Sequence, residues 1–270
     1  MGGILIGFEN YSVRRGILGS EWVGFDNFIR FFNDPYFGRD FVNTIRISLA
    51  SIVFSLPMPI IFALLVNELR NKYFIKTVQT VTYIPYFISL VVICGMIRTF
   101  VGENGIITSI VSAVTGQQIN ESLLNRSELF TTIFVGSGIW QGMGWGSIIY
   151  IAALAGIDQE LYEASAIDGA GRIRQLIHVT LPGLLPTIVI MLILRLGSAI
   201  TVDYEKIMLL INSLNAEKSE VLSYYVYKKG MIDTDYSLST AAGLFNSVIN
   251  LFLVIGANYV SKRLSENSLW

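Results

Sequence analysis

Long apolar runs alternate with polar connectors along this chain. Five runs, at about 41–67, 77–100, 129–156, 183–201 and 239–260, each approach or exceed the ~20 residues an α-helix needs to cross a bilayer. The pattern predicts an all-α integral membrane protein with about five complete helical spans. In the first run Thr44, Ser48, Ser51 and Ser55 recur at helical spacing, a stripe expected to face other helices or a water-filled path. Pro57 and Pro59 predict a kink in the same run, and Pro85 lies inside the second. Gly138, Gly142 and Gly146 in the third form a small-residue face that a neighbouring backbone can approach closely.

The connectors differ in character. Residues 9–38 mix polar and aromatic positions, with Phe25, Phe28, Ile29 and Phe32 on one helical face, suited either to the membrane interface or to packing on the protein itself. Residues 102–128 and 202–238 read as large polar loops, and 68–76 as a short basic one. The connector 157–182 stands apart, because it is polar yet keeps helical periodicity: Leu161, Ala164, Ile167, then Ile173, Leu176, Ile177. Asp168-Gly169-Ala170-Gly171 separates the two halves, where glycine allows the left-handed backbone that stops one helix and starts another. Leu181-Pro182 is expected to close the second half, since proline cannot donate to the helix ladder. The reading is a helix–turn–helix held out in water for a soluble partner.

Composition narrows the function. Apolar residues make up 53% of the chain and charged residues only 14%, against about a quarter in soluble domains. The net charge of −1 gives nucleic acid no electrostatic handle. A single cysteine, Cys94, and a single histidine, His178, exclude an internal disulfide and a Cys/His metal set. The chain has neither the G-x-x-x-x-G-K-[ST] phosphate loop nor a G-x-S-x-G elbow, so no enzyme activity is expected of it alone.

The elbow also carries a resemblance. Glu163-Ala164-Ser165, three residues, Gly169, nine residues, Val179, one residue and Leu181-Pro182 is similar to the EAA loop of the permease subunits of binding-protein-dependent ABC importers. Ser165 stands where that family has a second alanine, and Val179 where it has isoleucine. The run around Trp22-Val23-Gly24, the Trp140-Gln141 region and the ending Asn258 to Trp270 extend the likeness to polysaccharide- and oligosaccharide-type carbohydrate permeases, over nearly the whole chain. The resemblance implies a type I importer transmembrane domain, multi-pass in the cytoplasmic membrane of a prokaryote. It implies residues 1–40 as an N-terminal helix remnant plus an extracytoplasmic interfacial segment, 41–262 as the permease domain, and 263–270 as a cytoplasmic tail. Because that family carries a full helix where MGGILIGF stands, the chain is expected to begin inside its first span.

Partners follow from the same likeness: a second homologous permease subunit, two ATPase subunits holding ATP and Mg, an extracytoplasmic solute-binding protein, and surrounding lipid. Glu163, Ala164, Ser165, Asp168, Gly169, Ala170, Leu181 and Pro182 would form the ATPase-coupling surface, with Asp168 capping the second half-helix or meeting a basic group. Trp140, Gln141, Trp145, Arg195, Tyr204, Glu205, Asn246 and Asn250 are candidates for the solute path, since indole faces, amides and an intramembrane charge suit a polar sugar. An ion-coupled secondary carrier is the competing reading, but the spans contain essentially no carboxylates away from their ends. Connectors 68–76, 157–182 and 261–270 fall on one side and carry seven Lys and Arg; 9–40, 102–128 and 202–238 fall on the other and carry nine, at lower density. The resemblance places the first set in the cytoplasm.

Overall fold

A computed structural model describes residues 2–265 of the chain, almost entirely helical. Residues 266–270 of the predicted tail lie outside the described residues. Residues Gly2–Phe8 form a 3₁₀ helix, followed by a two-residue ladder pairing β1 (Glu9–Asn10) with β2 (Glu21–Trp22). Helix α1 (Asp26–Phe32) buries Asn27 and Phe31. The predicted face of Phe25, Ile29 and Phe32 is largely exposed, as an interfacial helix requires.

Among the described residues three helices are long and apolar enough to cross a membrane: α2 (Phe37–Asn67), the Arg172–Leu196 helix, and Tyr236–Tyr259 within the last helix. The predicted kink in α2 is a one-residue interruption at Leu56, just ahead of Pro57. The predicted crossing 77–100 is not one helix. Helix α3 (Lys72–Tyr83) runs into a 3₁₀ turn at Ile84–Phe87 that contains Pro85, and α4 (Leu90–Phe100) restarts after extended residues at Ile88 and Ser89. Ser89 caps α4 by accepting from the Val92 amide. The predicted loop 102–128 contains helix α5 (Ile106–Thr115), ended by Gly116 at φ +69°. Helix α6 (Phe130–Ala155) is 26 residues long. Its glycines, tryptophans and Gln141 dilute its apolar character, and it is not one of the three. With α6 and the broken pair counted, the arrangement agrees with about five crossings.

Contacts divide the chain into two units, residues 1–50, 89–135 and 198–252, and residues 51–88, 136–197 and 253–270. The connectors expected outside fall mainly in the first, and 68–76 and 157–182 in the second. In the first unit the loop 202–238 is also structured, with α9 (Tyr204–Leu210) and α10 (Leu222–Tyr227). (The helices between, α7 over Gln159–Ile167 and α8 over Arg172–Leu196, belong to the second unit.) Phe31, Phe37, Tyr225 and Phe245 build an aromatic centre with ring centroids 4.9 to 5.8 Å apart. The predicted Thr44 and Ser48 stripe does face protein: Thr44 is fully buried and accepts from the Leu222 amide at 2.9 Å, and Ser48 donates to the Ala199 carbonyl. Lys206 on α9 is 4% exposed, donates to the Phe134 carbonyl at 2.9 Å and lies 4.6 Å from that ring's centre. Burial pulls its ammonium down to about 8, with Cys94 and Asp203 opposing.

In the second unit Ala63, Tyr150, Leu154, Ile157 and Leu184 form the core. The glycine face of α6 differs from expectation. Gly142 has open space where a Cβ would be, Gly138 and Gly142 line a small cavity, and Gly146 meets Pro59. The tight approach is at Gly144, where a Cβ would stand 2.3 Å from the Thr82 carbonyl oxygen.

Two outcomes follow. Gly144→Ala should destabilise the detergent-purified protein by about 2 kcal/mol, lowering its thermal midpoint by roughly 5 °C, while Gly142→Ala changes little. For Lys206 the folded value lies below the unfolded one, so the unfolded chain binds more protons between pH of about 8 and ~10.4, and stability rises with pH through that window. A Lys206→Met variant should lack that rise; parallel pH profiles for the two proteins would contradict the assignment.

Candidate functional site

The elbow begins with α7 (Gln159–Ile167), whose first turn is capped by Asp158 accepting from the Glu160 amide at 2.9 Å. At its far end Gly169 is left-handed, at φ +78°. The Ala170 amide donates to the Ser165 carbonyl at 2.9 Å and the Gly169 amide to that of Ala166 at 3.0 Å. This nested pair is a Schellman stop, and it satisfies carbonyls that the helix end would otherwise leave open. The chain then turns into α8 (Arg172–Leu196).

Two expectations need correction. Asp168 is the C-cap of α7 rather than a cap for the second half; α8 starts from Gly171, with no side-chain cap. Leu181-Pro182 does not end the second helix. The ladder widens to a π-helical turn over Leu176–Thr180, with the Leu181 amide donating to the Leu176 carbonyl, and the helix continues through Pro182 to Leu196. Placed just after this wider turn, a residue without an N–H is accommodated.

Glu163, Ala164, Asp168 and Gly169 are all exposed, as a contact surface requires; Ser165, Ala170 and Leu181 are half-buried and Pro182 is exposed. More telling are apolar residues in the open: Ile167 is 87% exposed and Ile173 74%. Ile167 ends a helix too short to cross a bilayer and Ile173 lies in the first turn of α8, and such exposed side chains mark a contact surface. At the root of the elbow lies a cavity of about 430 Å³, lined by Ile61, Leu64 and Leu65 of α2 and by Tyr162, Ile173 and Leu176. Arg172 stands 3.8 Å from Glu68, both well exposed, so the pair adds little stability.

The root is also stitched by side chains of which the sequence singled out only Ser165. Ser165 Oγ donates to the Tyr162 carbonyl at 2.8 Å. Gln175 Nε2 donates to Ser165 Oγ at 3.0 Å and to the same carbonyl at 3.3 Å. The Tyr162 hydroxyl and Thr180 Oγ1 are 3.0 Å apart.

The eight solute-path candidates divide between the units. In the second, Trp145 stacks on Tyr86 with centroids 4.9 Å apart and meets Phe87 edge-on at 5.3 Å. Trp140 is 41% exposed, Gln141 is half-buried, and Arg195 lines a cavity of about 80 Å³ with Ser55, Tyr150 and Met191. In the first, Tyr204 stacks on Tyr227 at 5.1 Å, which continues to Tyr224 at 6.2 Å. Glu205 is exposed beside Tyr204. Asn246 is buried with its Oδ1 unpartnered. Asn250 is used structurally: its Oδ1 accepts from the Ile200 amide at 3.0 Å and its Nδ2 donates to Thr201 at 2.9 Å. Tyr86, Tyr224 and Tyr227 had no sequence signal beyond their aromaticity.

Comparison with known proteins agrees with this architecture. Residues 36–266 match the family described as binding-protein-dependent transport system inner membrane component. Protein LplB of Bacillus subtilis (strain 168) is 41% identical over all of this chain and 85% of its own length. The polygalacturonan/rhamnogalacturonan transport system permease protein YteP of the same organism is 40% identical, over 100% of this chain and 84% of its own. Among solved structures, a chain of a bacterial alginate ABC transporter in complex with alginate pentasaccharide-bound periplasmic protein superposes with a TM-score of 0.87 at 38% identity, covering 91% of this chain and 85% of that one. The match spans the broken helices, the elbow and the final span together, and the chain accordingly belongs to the family of inner-membrane components of binding-protein-dependent transport systems, as a multi-pass membrane protein.

Proposed function

We propose that this chain is one of two membrane subunits of an ATP-driven importer that carries an acidic oligosaccharide or polysaccharide fragment inward by alternating access. The observation that carries the reading is the elbow: a capped helix, a Schellman stop and nearly bare Ile167 and Ile173 at the position of the family motif. Exposed isoleucines on either side of a tight glycine turn fit a groove on a soluble subunit, and the chain itself holds no phosphate loop. The partner ATPase pair would hold ATP and Mg, and its closure would push on α7. A second, homologous permease subunit would complete the enclosure, and an extracytoplasmic binding protein would deliver solute.

The substrate class draws on the relatives, whose names specify alginate and polygalacturonan/rhamnogalacturonan. Arg195 lines a cavity with Tyr150 and Gly142 and is the candidate contact for such a solute. Trp140, Gln141, Trp145, Tyr204, Glu205 and Asn246 are the further candidates to line its way.

The test is assembly with a cognate ATPase and second permease subunit. Gly169→Asp places a Cβ at a left-handed residue, at a cost of about 1–2 kcal/mol, and puts a charge at the tip. Ile167→Asp removes apolar contact worth about 1.5–3 kcal/mol if fully buried on docking. Each should lower ATPase recovered on the purified permease about tenfold or more. Recovery equal to wild type from both variants would contradict docking at the elbow. Arg195→Gln should abolish stimulation of ATP hydrolysis by a uronate oligomer while leaving ATPase recovery unchanged, and retained stimulation would remove the acidic-solute reading.

A further inference from the structure

The elbow has two places where it could give way: the glycine turn at its tip, where Gly169 needs no side chain to move, and the π-helical turn Leu176–Thr180 at its root. A push on α7 reaches the membrane only if the two arms travel together. Otherwise the displacement is absorbed by opening the angle at Gly169. The hydrogen bonds just inside the root close that route. We propose that Ser165 and Gln175 are positioning residues that buckle the two arms of the elbow into one rigid lever, with Tyr162 and Thr180 tying that lever to the start of the span.

The geometry is specific. Ser165 Oγ is a two-way junction: it donates to the Tyr162 carbonyl at 2.8 Å and accepts from Gln175 Nε2 at 3.0 Å. Gln175 reaches the same carbonyl at 3.3 Å, so one amide of α8 holds two points on α7. Behind it the Tyr162 hydroxyl meets Thr180 Oγ1 at 3.0 Å, and Thr180 is 5% exposed. Thr180 Oγ1 is in turn 3.4 Å from the Gln175 carbonyl, across the π-helical turn. Ser165 and Gln175 are half-buried, where hydrogen bonds meet less competition from water than at the exposed tip. An alanine at 165, which the motif resembled by this chain has, could neither donate nor accept, so the buckle belongs to this chain's own sequence. The inference rests on the docking of a partner ATPase proposed above.

The experiment uses the whole importer in proteoliposomes and reads both the ATPase retained and the solute carried per ATP hydrolysed. Ser165→Val removes the hydroxyl with the shape of threonine, and Ser165→Thr restores it with a similar helix propensity. Gln175→Met removes the donor at similar length. Ser165→Val and Gln175→Met should retain ATPase at wild-type amounts and still hydrolyse ATP, while transport per ATP falls roughly threefold to tenfold, the shift produced by losing one hydrogen bond at a two-state joint. Ser165→Thr should stay within about twofold of wild type. The double variant Ser165→Val with Gln175→Met should be little worse than Gln175→Met alone, since the two changes remove a shared bond. Unchanged transport per ATP in Gln175→Met, or a fall in Ser165→Thr as large as in Ser165→Val, would overturn the buckle while leaving docking intact. Loss of ATPase from both variants would also overturn it, by assigning these bonds to assembly alone. A wild-type complex that holds no ATPase would overturn the buckle and the docking together.

Discussion

A helix that ends in water must do something with its last carbonyls, and here that need shapes the part of the molecule proposed to meet a partner. The Ala170 and Gly169 amides fold back on the carbonyls of Ser165 and Ala166, which requires a left-handed residue at 169. That turn fixes where α7 stops and sends the chain back into α8. Without it the exposed isoleucines of the elbow would have no defined presentation. With it, Ile167 and Ile173 are held in the open on either side of a defined turn.

The same accounting of backbone groups governs the interruptions inside the spans. Proline appears where a ladder would lose a donor, and the chain answers differently each time. Before Pro57 it breaks for a single residue at Leu56; around Pro85 it tightens to a 3₁₀ turn and restarts at Ser89; before Pro182 it widens to a π-helical turn and carries on. In a low-dielectric surrounding each freed group must be met locally, so these choices are restricted to tight, internally bonded geometries. Close packing adds the second constraint. Gly144 lets the Thr82 carbonyl approach α6 to a distance no side chain would permit, which holds one broken helix against an unbroken one.

How much of this was legible in the sequence depended on the strength of the local signal. Spans were legible because runs of some 20 apolar residues have few alternatives, and the elbow because polar residues at a 3.6-residue period flank a glycine turn. The break at Ile88 was not, since Pro85 alone does not say whether a helix bends or stops. Helices α9 and α10 are short pieces whose stability comes from packing, as the burial of Ile207, Leu222 and Tyr225 shows, and so they read as loop. The tight glycine was misplaced by periodicity: the spacing favoured Gly138, Gly142 and Gly146, and the tightest approach on α6 fell at Gly144. Ser165 looked like a near-isosteric stand-in for alanine, and its hydroxyl turned out to join two helices. Asn250 suited a solute path by type alone, yet its amide is committed to Ile200 and Thr201. A side chain's partners across the fold are what sequence order conceals.

The central claim is that the tip of the elbow stands in the cytoplasm and is covered by a soluble partner. A single cysteine at Ile167, in a chain whose native and buried Cys94 is replaced by serine, reads both parts of that claim with one membrane-impermeant maleimide. In inside-out vesicles the tip should label fully, and addition of the ATPase should protect it; in right-side-out cells stripped of their wall it should not label at all. Labelling from the outer face, or labelling from the inner face that the ATPase leaves undiminished, would contradict the account.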